Sequence, residues 1–361
     1  MTRKPNQSLR PGWTTGACAT AATRAAYEAL LTGAFPDPVA ITLPRGQRPS
    51  FALARSRLGD GTAMAAIVKD AGDDPDVTHG ALIVATLRPA AEGSGVVFSA
   101  GEGVGTVTRP GLALAVGEPA INQVPRRMMT ETIADLARAH DAPGDVAIEI
   151  AIPGGETMAM RTMNGRLGIL GGLSVLGTTG IVTPYSCAAW IASIRQGIDV
   201  ARAAGLSHVA AATGKTSEAA VRALYDLPEV ALIDMGDFAG GVLKYLRAHP
   251  IPRLSLAGGF AKMCKLAAGD LDLHSSRGRV DFDWLAGRVA GLPGAAPVIA
   301  ACGRANTAAE VLEVARQAGV PLADRVAAKA RDTALEVVGD AVAVETLIFD
   351  RLGRLVGRAN G

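Results

Sequence analysis

The residues of this chain whose types and spacing could do chemistry fall into a few short stretches. Thr213-Gly214-Lys215-Thr216-Ser217-Glu218 sets a lysine and three hydroxyls around one glycine, between a strand-like and a helix-like run. Amides at a helix start attract anions, so an anion or adenosine-ribose contact is expected at Thr213, Gly214 and Lys215, the alternative being an ordinary cap from Thr216 or Ser217. A nucleoside triphosphate loop is disfavoured, because it needs a glycine where Val209 stands. Lys69 to Gly80 reads KDAGDDPDVTHG and carries Asp70, Asp73, Asp74 and Asp76. Asp73 and Asp74 are candidate proton acceptors if partial burial raises a carboxylate toward a base's working range; a cation site or a solvated turn is the alternative. Arg109, Arg126, Arg127, Lys262 and Lys265 could pair with carboxylates or line a solvated basic face. His274 lies in a polar setting, beside Ser275, Ser276, Arg277 and Arg279. No nucleophile stands out: Ser174 lies in Gly-Leu-Ser-Val-Leu-Gly, one residue too long for a nucleophile elbow, and the histidines are scattered.

The elements that must position these groups are readable from periodicity and punctuation. Gly171 to Ser186, GGLSVLGTTGIVTPYS, alternates glycines and hydroxyls with apolar residues, suiting close approach of backbone to a ligand at Thr178, Thr179 and Gly180, or a plain connector. WTTGAC opens an alanine-rich helix capped by Thr14 or Thr15 and ending at Gly33. Strands are expected over 39–43, 51–58, 64–68, 81–87, 96–99 and 145–152, with a helix ending near His140. Gly101 to Gly117 falls short of a dinucleotide fingerprint, since Thr106 stands at the third glycine position. From Ser186 the rhythm becomes helix, strand, helix, strand: helices over 187–204, 217–225, 238–248, 260–268 and 307–318, and strands over 208–212, 230–235, 254–256 and 298–301. That alternation implies a parallel sheet with site loops at its carboxyl edge, here 213–217, Gly236-Asp237, Gly258-Gly259 and Gly303-Arg304. A hairpin turning at Gly353 closes the chain. The fold class is therefore α/β: an α+β domain over 1–165 with mixed or antiparallel strands, a glycine-rich connecting segment over 166–185, and a Rossmann-like α/β domain with a mostly parallel sheet over 186–361.

A length of 361 residues favours two domains. With 36 basic against 34 acidic residues the net charge of +2 implies no nucleic-acid surface. Cys18, Cys187, Cys264 and Cys302 lie far apart with no nearby histidine, so neither a disulfide framework nor a bound metal is expected. The polar leader and the lack of a long apolar run point to a cytoplasmic protein without a membrane span.

Taken together, GWTTGACATAA at 12–22, KDAGDDPDVTHG at 69–80, GEGVGTVTRPGL at 101–112, GEPAIN at 117–122, GGLSVLGTTGIV, TGKTSE at 213–218 and KMCKLAAGDLDLHS at 262–275 resemble the cobalt-precorrin-5B C(1)-methyltransferase family of cobalamin biosynthesis. Gln123, Thr183, Tyr185 and Phe260-Ala261 depart from that family's pattern. The resemblance implies methyl transfer from S-adenosylmethionine to C1 of a ring-contracted cobalt tetrapyrrole, with a metal-free precorrin as the alternative substrate. An enzyme of that kind needs orientation and desolvation rather than a covalent nucleophile. On this reading Thr14, Thr15, Gly16, Thr178, Thr179, Gly180, Thr213, Gly214, Lys215, Gly236 and Asp237 hold the cofactor and one macrocycle edge. Arg109, Arg126, Lys262 and His274 meet the substrate's acidic side chains, and Asp73 or Asp74 handles a proton. A non-enzymatic corrinoid- or anion-binding protein is the rival class, and a homo-oligomer is expected on apolar content alone.

Overall fold

The computed structural model describes residues 9–275 and 278–360, which form two compact units, Met1–Cys187 and Ala188–Gly361. Ser276 and Arg277, named above as neighbours of His274, lie outside the described residues.

The first unit is built on a five-stranded sheet whose members are β1 (Arg55–Gly59), β2 (Thr62–Val68), β3 (Leu82–Pro89), β4 (Val96–Ala100) and β5 (Val146–Ala151). Their order is β1-β2-β3-β5-β4, antiparallel throughout except for β4 beside β5. Helix α1 (Thr15–Thr32) opens as its sequence dictates: the Thr14 hydroxyl accepts the Ala17 amide at 3.1 Å, and Gly33 at φ 80° ends the helix in the left-handed conformation. Its buried alanines face Ala63, Ala65, Ile83 and Ala85 of β2 and β3, and small side chains on both partners let the backbones approach closely. Helix α2 (Gln123–Ala139) adds Met128, Met129, Ile133 and Leu136 to the same core. Residues 166–185 are woven into this unit: Ile169–Leu170 pairs with Thr106–Val107, and Ile181–Val182 pairs with Gly12–Trp13.

The second unit holds a sheet of β6 (His208–Ala212), β7 (Leu232–Asp234), β8 (Arg253–Gly259), β9 (Ala343–Phe349) and β10 (Leu355–Ala359), in the order β7-β6-β8-β9-β10. All neighbours are parallel except β9 and β10, which form the closing hairpin around Gly353 at φ 76°. Alternate strand residues serve two cores. Val209, Ala211, Ile233, Leu254 and Leu256 meet helices α3 (Cys187–Ala203), α5 (Ala239–Ala248) and α6 (Phe260–Ala267), whereas Ala210, Ala212, Leu232 and Ala257 meet Val221 of α4 (Lys215–Tyr225).

Two expectations are corrected here. Residues 298–301 are not a strand but part of helix α7 (Ala295–Cys302), so Gly303-Arg304 is no carboxyl-edge loop of the sheet. A short apolar run carries no period that separates a strand from a buried helix turn, and Gly294 in the left-handed conformation starts the helix instead. Helix α4 is capped by neither Thr216 nor Ser217; Gly214 occupies the cap position, and the Ser217 hydroxyl donates back to the Gly214 carbonyl at 2.9 Å. Helices α8 (Ala308–Gln317) and α9 (Leu322–Val338) complete the unit, with Thr307 capping α8. No helix among the described residues is long and apolar enough to cross a membrane.

Candidate functional site

In the second unit the strand order creates a crevice. From β6 the chain passes through α4 to β7 on one side, then through α5 to β8 on the other side of β6. The carboxyl ends of β6 and β8 therefore flank a topological switch point, where open α/β sheets bind ligands. The residues there are Thr213-Gly214-Lys215 after β6 and Gly258-Gly259 at the end of β8. Space lies open above Gly214 and Gly259, since a Cβ added at either would meet nothing within 4 Å. The cap positions of α4, α5 and α6 are Gly214, Phe238 and Gly259, and no side chain there accepts a helix amide. The starts of α4 and α6, without side-chain caps, thus gather at one sheet edge beside that of α5, whose Gly240 amide donates to the Leu271 carbonyl at 2.9 Å; helix starts so placed favour negative charge.

Side chains reinforce that polarity. Lys262 Nζ, from α6, donates to the Thr213 carbonyl at 2.9 Å and lies 3.0 Å from Asp237 Oδ1. The latter is an ion pair off hydrogen-bond alignment, and Asp237 Oδ1 is buried without an aligned donor, so it can take a hydrogen bond from a ligand cation or hydroxyl. The Asp237 carbonyl accepts the Leu273 amide at 2.8 Å, while buried Lys265 donates to the Leu273 and His274 carbonyls at 3.0 and 3.1 Å. The fold thereby brings Thr213, Gly214, Lys215, Gly236, Asp237, Lys262 and the His274 segment to one edge, with Lys265 serving as a brace.

The first-unit candidates are arranged differently. The amides of Thr14, Gly16 and Ala17 go to the Gly180 carbonyl, the Leu176 carbonyl and the Thr14 hydroxyl, and Thr14 and Thr15 are buried. The Thr14–Gly16 and Thr178–Gly180 stretches consequently clasp each other. Asp73 is exposed and takes the Arg10 amide at 2.6 Å; Asp74, half-buried, takes the Tyr185 amide at 2.8 Å. Asp70 is held down to about 2, chiefly by hydrogen bonds from the Arg10 guanidinium at 2.5 and 2.9 Å. Beneath the loop, Lys69 is 1% exposed, donating to Asp76 at 2.5 Å and to Thr78 at 2.7 Å. Burial pushes Asp76 upward, but the Lys69 ammonium and Thr78 outweigh it and leave the carboxyl below its ordinary value. Arg126 spends its guanidinium on Glu118 at 2.6 Å and on the Ile121 and Pro119 carbonyls at 2.7 and 3.0 Å. Arg109 is exposed, its stem lying over Gly168. Burial drives the Cys18 thiol up to about 12 and raises Cys264 as well, which removes both as thiolates at neutral pH.

Sequence reasoning missed a buried network at the amino edge of the second sheet. Glu345 accepts from Arg253 at 2.8 Å, Tyr225 at 2.7 Å, Arg358 at 3.2 Å and the Ser255 hydroxyl, which meets His208 Nε2 at 2.7 Å. It also missed Trp190 and Asp234 beside the carboxyl edge. A spacing signal existed for Asp234, which ends the second strand of a strand-helix-strand unit.

Comparison with known proteins adds an independent line. Residues 2–184 match the family model CbiD, and residues 272–360 match the model of the CbiD C-terminal domain. A cobalt-precorrin-5B C(1)-methyltransferase of Paramagnetospirillum magneticum is 62% identical over 98% of this chain and 99% of its own. One from Brucella anthropi is 61% identical over 97% of this chain and 95% of its own. A crystal structure of a cobalamin biosynthesis protein (CbiD) from Archaeoglobus fulgidus is 24% identical, covering 86% of this chain and 85% of that one, with a TM-score of 0.40.

Proposed function

Because the chain belongs to the CbiD family, we infer that it is a cobalt-precorrin-5B C(1)-methyltransferase of cobalamin biosynthesis. The observation that carries this is the near-full-length identity of about 60% to relatives of that activity. S-adenosylmethionine is the methyl donor on our reading, and it supplies a methyl group already activated on a sulfonium. The carboxyl edge of the second sheet suits that donor: its carboxylate fits the starts of α4 and α6 and Lys262, and its ammonium fits the Asp237 carboxylate, which Lys262 flanks at 3.0 Å. Thr213, Gly214, Lys215 and Gly236 line the same edge. Of the candidates for the tetrapyrrole's acidic side chains, the His274 segment lies at this edge, and Arg109 is exposed on the first unit. Arg126 is assigned to holding the turn before α2, because its donors are already engaged. Asp73 and Asp74 remain the candidates for proton handling. Methyl transfer from a sulfonium to an electron-rich ring carbon requires the chain to orient two ligands and exclude water, and no covalent nucleophile is needed.

The test is incubation of the purified protein with S-adenosylmethionine and cobalt-precorrin-5B, followed by mass spectrometry of the tetrapyrrole. A gain of one methyl group at C1 is expected. Tetrapyrrole bound by folded protein with no gain would instead favour a corrinoid-binding protein, and a gain only without cobalt would reassign the substrate to the metal-free precorrin. A cytoplasmic address accords with the four free cysteines, and light scattering would show whether the expected homo-oligomer forms.

A further inference from the structure

We propose that Asp234 and Trp190 form the adenosyl end of the methyl-donor site, with the Asp234 carboxylate accepting hydrogen bonds from the ribose hydroxyls and the Trp190 indole flanking the adenine. This rests on the reading that S-adenosylmethionine is the donor.

Topology comes first. Asp234 is the last residue of β7, paired in register with Ala212, the last residue of β6. It stands twenty residues after Gly214. In doubly wound sheets a carboxylate about 20 residues beyond the first strand's glycine turn sits at the end of the second strand and takes ribose hydroxyls, while the anionic part of the ligand sits at the start of the first helix. The loop after β6 carries one glycine rather than the three of a pyrophosphate fingerprint. A single glycine is consistent with a ligand that lacks a pyrophosphate and brings only a small carboxylate to the helix start.

Strand alternation sets the direction. Leu232 belongs to the core against α4, and Ile233 to the core on the opposite face. Asp234 follows Leu232 by two and so shares the α4 face, the side on which Gly214 and Lys215 begin that helix. Neighbouring strands lie about 4.8 Å apart, roughly the width of a ribose ring. A ligand with its carboxylate over Gly214 therefore meets Asp234 with its sugar.

The aromatic partner is held at the same strand end. Trp190 Nε1 donates to the Asp234 carbonyl at 3.1 Å. Its ring lies over Gly236, where an added Cβ would stand 3.1 Å from Cζ2 and φ is +56°, so glycine permits both the turn and the close indole. Phe238 supports the ring from 6.3 Å, yet Trp190 stays 45% exposed. An anchored indole with so much uncovered surface is a platform for a planar base. Asp237, the competing choice for the ribose, lies past the end of β7 in the loop before α5, whereas Asp234 is the strand-end residue in register with Ala212. The strand-end position assigns Asp234 to the ribose diol, and Asp237, beside Lys262, to the charged end of the ligand.

The experiment titrates S-adenosylhomocysteine into the full-length protein by calorimetry and tryptophan fluorescence, beside its 2′,3′-dideoxy analogue. Wild type is expected to bind the ribose form with a change in indole emission and to bind the dideoxy form about tenfold more weakly or worse. D234N should bind the ribose form about tenfold more weakly than wild type and lose the discrimination between the two ligands; W190F should lose most of the emission change. The wild-type comparison needs no variant to fold, and D234S repeats the test should D234N misfold. If wild type binds both ligands equally, or if D234N binds and discriminates as wild type does, the assignment is overturned while the donor reading stands. If wild type binds no S-adenosylhomocysteine, the donor reading fails and the assignment falls with it.

Discussion

An added Cβ at Gly12 would stand 2.0 Å from the carbonyl carbon of Ala71, and one at Gly177, where φ is +140°, would stand 2.2 Å from Thr14 Oγ1. Gly12 lets backbone lie on backbone, and Gly177 lets the chain lie against the buried Thr14 side chain that caps α1, so neither can take a side chain without displacing its neighbour. Gly214, extended and facing open space, is under no such constraint. Gly12→Ala should therefore lower the unfolding free energy by about 3 kcal/mol or more, read as the shift in a urea midpoint. Gly214→Ala should stay within about 0.5 kcal/mol of wild type yet weaken S-adenosylhomocysteine, because the added methyl occupies the crevice. Lys262 offers a second single-residue test. Lys262→Met removes the cation beside Asp237 and Thr213 and should raise the Kd for S-adenosylhomocysteine about tenfold, whereas Lys262→Arg should recover part of the loss in the same titration.

At the scale of elements, the two edges of the second sheet divide the work. The carboxyl edge gathers the starts of α4, α5 and α6, with open space at Gly214 and Gly259, while the amino edge is fastened by the network around Glu345. That residue is 3% exposed and ties Arg253 at the start of β8 and Ser255 within it to Tyr225 at the end of α4 and Arg358 on β10. Burial raises the Glu345 carboxyl, but hydrogen bonds from Ser255, Tyr225 and Arg253 outweigh it and hold the group below its ordinary value. A carboxyl lowered in the native state contributes stability that is present above the unfolded pKa of about 4.3 and is lost as pH falls through the native value. His208 is lowered by burial first and by Arg253 next. An imidazole lowered in the native state acts in the same sense: its contribution is present above about 6.5 and is lost as pH falls through the native value. Urea midpoints followed downward from about pH 7 should fall in two stages, the first belonging to His208. Glu345→Gln should cost about 2 kcal/mol at neutral pH and make the lower stage shallower than in wild type; an unchanged lower slope would remove Glu345 from that account. The elements themselves were largely readable: Thr14 caps α1, Gly33 ends it, and Gly353 turns the last hairpin. The run at 298–301 was misread because four apolar residues fit a strand and a helix turn equally well.

Across the whole molecule, each unit carries its own buried core, one around Ile148 and one around Leu256, both fully buried. Ile148→Ala and Leu256→Ala should each cost about 2–5 kcal/mol, and calorimetry should show them lowering different transitions. S-adenosylhomocysteine should raise the transition that Leu256→Ala lowers, since a ligand stabilises the unit that binds it; a rise confined to the other transition would move the donor site to the first unit. The sequence by itself determined what local physics encodes: caps, turns, hydrophobic period and the alternation of strand and helix, together with the ordered motifs that mark the family. Tertiary structure alone decided which glycines are open and which are packed, that Arg126 is consumed by Glu118 and two carbonyls, and that β8 lies across β6 from β7. Those outcomes depend on contacts between residues far apart in the chain. A residue's own type fixes the hydrogen bonds and conformations it can adopt, but only the folded neighbours determine whether a donor is already taken, or whether a strand end such as Asp234 stands beside a crevice.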